Sequence, residues 1–251
     1  MSISNNHYQV TNVSYQLNEQ TILSNLSFEL EAQKIYSLIG PSGAGKTTLL
    51  SLLGGLKKPT SGTIETKKGT VEAQKVAFVP QDYGLLPWQT VQKAVVKGAS
   101  LSQKGKLSAL DLAEIDELLK QMALWEHRKK YPRQLSGGQQ QRVAIARSFA
   151  THADLLLMDE PFSALDAFTR EKAQQLFLSR WQKLKPLTVF VTHDIEEAIL
   201  LSDQIIVLSA NPGEISQIVD SPFEDKMNLH ENRQSMALFE LTNALRGAIS
   251  G

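Results

Sequence analysis

The chain has 251 residues, and its 26 lysines and arginines balance 26 aspartates and glutamates, giving a formal net charge of zero. That length can bury one α/β core or two small ones, and the balance argues against both a nucleic-acid binder held by charge and an acidic solvating tail. Cysteine is absent, which excludes disulfides, thiolate metal sites and cysteine nucleophiles and fits a reducing cytosol.

Met1 to His7 lacks the basic-then-apolar order of a signal peptide. No apolar run approaches the ~20 residues that span a bilayer. The expectation is a soluble chain whose membrane role, if it has one, runs through a partner. Tyr8–Tyr15 and Leu26–Leu30 alternate apolar and polar residues, as half-exposed strands do, with a turn at Asn18-Glu19-Gln20. Ile35–Ile39 is more continuously apolar, as expected of a strand covered on both faces.

Directly after that strand comes Gly40-Pro41-Ser42-Gly43-Ala44-Gly45-Lys46-Thr47-Thr48, which fits the phosphate-loop pattern G-x-x-x-x-G-K-[ST] at every fixed position. The apolar run Thr48 to Leu53 then reads as a helix, completing strand, loop and helix. Glycines let backbone N–H groups turn inward around a phosphate, and the helix N-terminus adds favourable partial charge. Lys46 can reach the β- and γ-phosphates, and the Thr47 hydroxyl suits a magnesium ion. The expected ligands are therefore ATP, as nucleoside triphosphate, and Mg2+.

Lys57 to Gly62 breaks the pattern, and a short strand, Lys75–Val79, ends at Pro80-Gln81. From Asp82 to Ala150 the character turns helical: Leu110, Ile115, Leu118, Leu119 and Met122 mark one face, and Val143, Ile145, Ala146 and Phe149 another. Between them, Leu135-Ser136-Gly137-Gly138-Gln139 makes a second anion-ready helix start, with a Ser136 hydroxyl able to donate to a phosphate. One triphosphate hardly needs two cradles in one chain. The economical explanation is a head-to-tail homodimer in which this segment closes over ATP held by the partner's loop.

Strand signals return at Asp154–Met158, Leu187–Val191 and Gln204–Leu208, with a helix over Arg170–Leu184, giving β-α-β units and a parallel sheet. The first of these strands leads into Asp159-Glu160. Asp159 is placed to help hold magnesium opposite Thr47; Glu160, pointing elsewhere, could orient or deprotonate an attacking water. From Pro222 the chain turns polar, and Arg233 to Ile249 reads as an amphipathic helix. The predicted fold is an α/β phosphate-loop NTPase with a mainly parallel sheet, an N-terminal antiparallel β part and an inserted helical subdomain. It forms one domain over 1–251, with core about 1–81 and 151–220, helical part about 82–150 and C-terminal tail about 222–251.

The phosphate loop, Leu135 to Gln139, Asp159-Glu160, Ser163-Ala164-Leu165-Asp166 and Thr192-His193-Asp194 occur in one order. From Tyr8 to Ile218 the chain resembles the ATP-binding subunit of ABC transporters. The resemblance implies an ATPase dimer of the ATP-sandwich kind on the cytoplasmic face of a membrane, held there by an integral permease. It also implies an extracytoplasmic substrate-binding protein acting through that permease, and no nucleic-acid partner. Carried onto matching positions, it makes Gln81 a contact to magnesium and the γ-phosphate and the junction to the helical insertion. Asp166 becomes part of a dimer-contacting loop, His193 a switch residue on the γ-phosphate, and Glu160 the general base. Where relatives stack adenine on an aromatic side chain, this chain has Leu17, with Tyr15 two residues earlier. Either Tyr15 stacks or Leu17 gives an apolar contact.

Asp82 to Val91, Pro161 to Arg170 and Leu208 to Gly213 further resemble importers of nitrate, sulfonates, taurine and vitamin precursors. Alternatives are an exporter ATPase, or a soluble relative acting on DNA or ribosomes. The latter usually carries a long coiled coil, zinc sites or tandem ATP domains, none of which is apparent in this sequence.

Overall fold

The computed structural model describes residues 7–66, 69–70, 75–102 and 106–250; the leader reading at Met1 to Asn6 lies outside them. Strands β1 (Tyr8–Leu17) and β2 (Gln20–Leu30) form a hairpin about Asn18 and Glu19, whose φ values of 47° and 67° provide the left-handed turn that tight hairpins need. Then follow β3 (Ile35–Ile39), α1 (Lys46–Leu53), β4 (Ser61–Thr66), β5 (Gly69–Thr70) and β6 (Val76–Val79). Helices α2 (Val91–Ser102), α3 (Ala109–Gln121) and α4 (Gly137–Ala150) separate β6 from β7 (Leu155–Asp159). The chain continues through α5 (Ala167–Leu184), β8 (Leu187–Val191), α6 (Ile195–Leu201), β9 (Gln204–Leu208), β10 (Ile215–Asp220), α7 (Leu229–Arg233) and α8 (Met236–Ser250).

Two sheets result. One is antiparallel, in the order β2-β1-β4-β5; the other runs β10-β9-β3-β8-β7-β6, parallel throughout except for β10 at its edge. Every residue of β3, β7 and β8 is buried, as strands covered on both faces require. Their two-residue period divides the interior. Leu155 and Leu157 point into a core shared with α1 and the antiparallel sheet, whereas Leu156 and Met158 join a second core built from the helices on the opposite face.

The fold class is the predicted one, with specific differences in its elements. β4 was not foreseen, because Ser-Gly-Thr-Ile-Glu-Thr is polar and mostly exposed and is held by pairing with β1. Leu110 does not share the buried face of α3; it is 79% exposed, while Ile115, Leu118 and Leu119 are buried. The C-terminal helix is divided at Gln234-Ser235, and the Met236 and Phe239 side chains of α8 face outward. Among the described residues no helix is long and apolar enough to cross a membrane.

Candidate functional site

The parallel order brings the C-terminal ends of β3, β8, β7 and β6 side by side, the edge at which such sheets bind ligands. At the end of β3, Gly40 has φ 150° and a Cβ there would lie 2.3 Å from the Leu208 carbonyl oxygen of β9, so no larger residue fits. Gly43 and Gly45 also take left-handed conformations, with φ of 82° and 78°. Between them Ala44 is fully buried and anchors the loop, while Ser42 and Gly43 are exposed. Pro41 lends its carbonyl, with that of Gly40, to the Lys46 ammonium, both at 2.8 Å. No side chain caps α1 at Gly45, so the N–H groups of its first turn, which includes Thr47 and Thr48, remain for an anion. Burial lowers the Lys46 pKa, and the nearby Glu160 and Asp159 charges oppose the shift. These residues fit a triphosphate.

Asp159 ends β7, buried, with its carboxyl beside the Thr47 side chain. Burial raises its pKa; the Thr47 hydroxyl and, more weakly, Lys46 act the other way, while Glu160 adds to the rise. A hydroxyl and one carboxylate suit a cation that takes its remaining ligands from phosphate and water, as magnesium does. Consistent with so sparse a donor set, no cluster of three or more His, Cys, Asp or Glu able to hold a metal occurs among the described residues.

Glu160 leaves the strand with φ 49°, its N–H donating to the Val191 carbonyl of β8 at 3.0 Å. This turn swings its carboxylate away from Asp159 toward the two neighbouring strand ends. Its Oε2 lies 3.4 Å from Gln81 Nε2, just beyond β6, and 3.4 Å from His193 Nδ1, just beyond β8. Three residues from three strands thus meet at one carboxylate beside the phosphate loop.

Ser136 to Gln139 lie elsewhere. Ser136 caps α4 reciprocally: Gln139 N–H donates to Ser136 Oγ at 3.3 Å and Ser136 N–H to Gln139 Oε1 at 3.0 Å. The Gln139 amide also meets His127 Nε2 at 2.9 Å. Gly138 allows close packing, since a Cβ there would lie 2.7 Å from Leu165 Cδ2. Ser136 and Gly137 are exposed, and among the described residues no hydrogen bond joins this segment to residues 40–48. Asp166 caps α5 through Thr169 N–H at 3.1 Å, and the Thr169 side-chain and backbone hydrogen bonds hold its carboxyl below the usual range.

Tyr15 and Leu17 do not behave as a matched pair. The register slips on both sides of Tyr15, whose ring packs against the core with Lys57 Nζ 5.0 Å from its centroid. Leu17 is half exposed. Sequence reasoning missed Arg147 of α4, which donates to the carbonyls of Tyr83 (2.9 Å) and Gly84 just after Gln81. Tyr83 and Gly84 both have positive φ, so Arg147 clamps a strained turn; its distance along the chain leaves no local signal.

The sequence profile of the ABC transporter family matches residues 23–163. An aliphatic sulfonates import ATP-binding protein of Bacillus thuringiensis is 39% identical over 238 residues, 92% of this chain and 91% of the relative. A taurine import ATP-binding protein of Escherichia coli is 39% identical over 216 residues, 85% of this chain and 84% of the relative. Among solved structures, a dimeric bacterial ABC transporter cassette superposes with a TM-score of 0.75 at 32% identity, covering 86% of this chain and 99% of its own. A post-hydrolysis dimer bound to ADP and Pi gives a TM-score of 0.74 at 33% identity, with the same coverage.

Proposed function

The chain belongs to the ABC transporter family as an ATPase subunit that powers import through a separate permease, and on that premise we propose that its importer carries small sulfonate-bearing solutes of the aliphatic sulfonate and taurine class. The substrate class rests on the relatives' names; the catalytic proposal rests on the convergence of Gln81, Glu160 and His193 beside the phosphate loop.

Two copies of the chain, each a single ATPase domain, would enclose two ATP molecules, each between one copy's residues 40–48 and the other's Ser136-Gly137-Gly138. That arrangement accounts for a second helix start left exposed and unconnected to the first. Lys46 and the loop N–H groups hold the β- and γ-phosphates. Thr47 and Asp159, with Gln81 nearby, would hold Mg2+, which neutralises charge on the phosphate oxygens. A water attacks the γ-phosphorus, its proton passes to Glu160, and the bond to the bridging oxygen breaks to leave ADP and phosphate. His193 contacts the γ-phosphate from β8 and steadies Glu160. Asp166, whose loop backs onto Gly138, faces the partner. Closure is favoured because ATP binds the closed dimer more tightly, and loss of the γ-phosphate removes that preference.

The exposed Leu86 (41%) and Trp88 (69%), five and seven residues beyond Gln81, offer the permease an apolar contact on the cytoplasmic side. A substrate-binding protein would deliver the solute from the other side, and nucleic acid plays no part. Affinity purification of tagged Glu160→Gln chain from detergent-solubilised native membranes with ATP should recover a multi-span permease. Recovery of ribosomal or DNA-repair proteins without a permease would refute the transport reading and leave the ATPase intact.

The base site gives a separate expectation. Leu17 presents an open apolar surface, whereas the Tyr15 ring is engaged by the core and Lys57. Leu17→Tyr should therefore tighten ATP binding about fivefold, at the low end of the energy of base–aromatic stacking, while Tyr15→Leu changes it little. Titration with a fluorescent ATP analogue decides; the opposite ranking would make Tyr15 the stacking residue.

A further inference from the structure

The His193 loop is held from behind by a chain of side chains that ends in the C-terminal tail. Asp194 caps α6, accepting from Glu197 N–H at 3.1 Å, and its own N–H donates to Thr192 Oγ1 at 3.1 Å. Glu197 is buried beside Thr192, and its carboxylate accepts a hydrogen bond from Gln174 Nε2 of α5 at 2.8 Å. The Gln174 amide is 1% exposed, and its oxygen accepts from Arg233 Nη2 of α7 at 2.7 Å. A buried primary amide has two orientations that differ by exchange of oxygen and nitrogen. With a guanidinium on one side and a carboxylate on the other, only one of them satisfies both neighbours.

We infer that Arg233 is a positioning residue for ATP hydrolysis, setting the His193 loop through Gln174 and Glu197. The inference rests on the ATPase reading above. The tail does not depend on this contact for its attachment: Lys226 pairs with Asp203, Gln175 Nε2 donates to the Met227 carbonyl at 3.3 Å, and Leu229, Leu238 and Leu245 are buried. Arg233 can therefore be changed without undocking α7 and α8. A branch of the same network reaches a second active-site segment, since Arg170 pairs with Asp194 at 3.2 Å and donates to the Leu165 carbonyl at 3.0 Å, one residue before Asp166.

The network also carries a titration signature. Burial raises the Glu197 pKa to about 7; the Thr192 hydroxyl and the Gln174 hydrogen bond pull it down, Asp194 pushes it up and Arg170 pulls it down. Glu171, Glu196 and Arg233 line the same cavity between α5, α6 and the tail. When the Gln174 amide is no longer held, the ionised carboxylate loses a donor and its pKa rises further. Activity that needs ionised Glu197 then fails at a higher pH as the solution is acidified.

The test is ATP hydrolysis by the purified full chain, as kcat and KM across the neutral pH range, for the parent, Arg233→Ala, Arg233→Lys, Gln174→Leu and the double variant Arg233→Ala/Gln174→Leu. Arg233→Ala should lower kcat about three- to tenfold with KM for ATP unchanged, and move the acid limb of the profile upward. Arg233→Lys, which keeps a donor, should recover part of the rate. In the Gln174→Leu background the arginine change should cost nothing more. An Arg233→Ala chain that matches the parent, a loss additive with Gln174→Leu, or a loss with an unmoved acid limb and no rescue by lysine would overturn the inference. A parent that hydrolyses no ATP would instead remove the ATPase reading and this inference with it.

Discussion

Glu160→Gln is expected to reduce ATP turnover by about two to four orders of magnitude, the range of a lost general base, while nucleotide binding survives. The amide keeps the size of the side chain, and its oxygen can still accept from Gln81 Nε2, now 3.4 Å away. Its turn at φ 49° is likewise a property of the backbone that glutamine can inherit. What disappears is the ability to take a proton from water. With the γ-phosphate left in place, the two halves of the proposed dimer should stay closed, so the variant should elute as a dimer with ATP and as a monomer without it. A variant hydrolysing at the parent rate would end the base assignment; one that is inactive yet never dimerises would end the ATP-sandwich proposal.

Lys46→Ala should act one step earlier and weaken ATP binding about ten- to a hundredfold, the loss of one or two charge-assisted hydrogen bonds. The ammonium is held at 2.8 Å by two carbonyls of its own loop, those of Gly40 and Pro41. It is partly removed from water, which lowers its pKa, and Glu160 and Asp159 hold it in the charged form. A phosphate thus meets a cation already desolvated and aimed, so little reorganisation is required on binding. Lys46→Arg is no substitute, because a planar fork cannot follow the same carbonyl contacts. Equilibrium titration with a fluorescent ATP analogue measures the effect; an unchanged affinity would mean that the loop N–H groups and the helix N-terminus suffice.

What the sequence disclosed follows from where each signal sits. Ile35–Ile39, Leu187–Val191 and Gln204–Leu208 were legible to the residue, because a strand covered on both faces is apolar at most positions, and only Ser37, Thr188 and Gln204 interrupt these three. Ser61–Thr66 was not, because its stability comes from pairing with β1 and its own residues carry almost no apolar pattern. Leu110 misled by type: one large apolar residue on an amphipathic helix faces water as readily as core when its angle is wrong. The phosphate loop declared itself through covalent spacing. Gln81 and His193 were found by resemblance, and their meeting at Glu160 follows only from the strand order β8-β7-β6. Arg147 on the Tyr83-Gly84 turn, and Arg233 on Gln174, join residues more than fifty positions apart, so no local pattern records them.

The exposed cap at Ser136, set apart from its own phosphate loop, has a consequence for inheritance. If each pocket is completed by the other chain, damage to the Ser136 segment and damage to Glu160 fall on different halves of a pocket. A cell holding one copy of each damaged gene would still assemble, in every mixed pair, one pocket with both lesions and one with neither. Two defective alleles would then restore part of the function that neither supplies by itself. A cell carrying one intact and one damaged copy would instead find most of its dimers impaired.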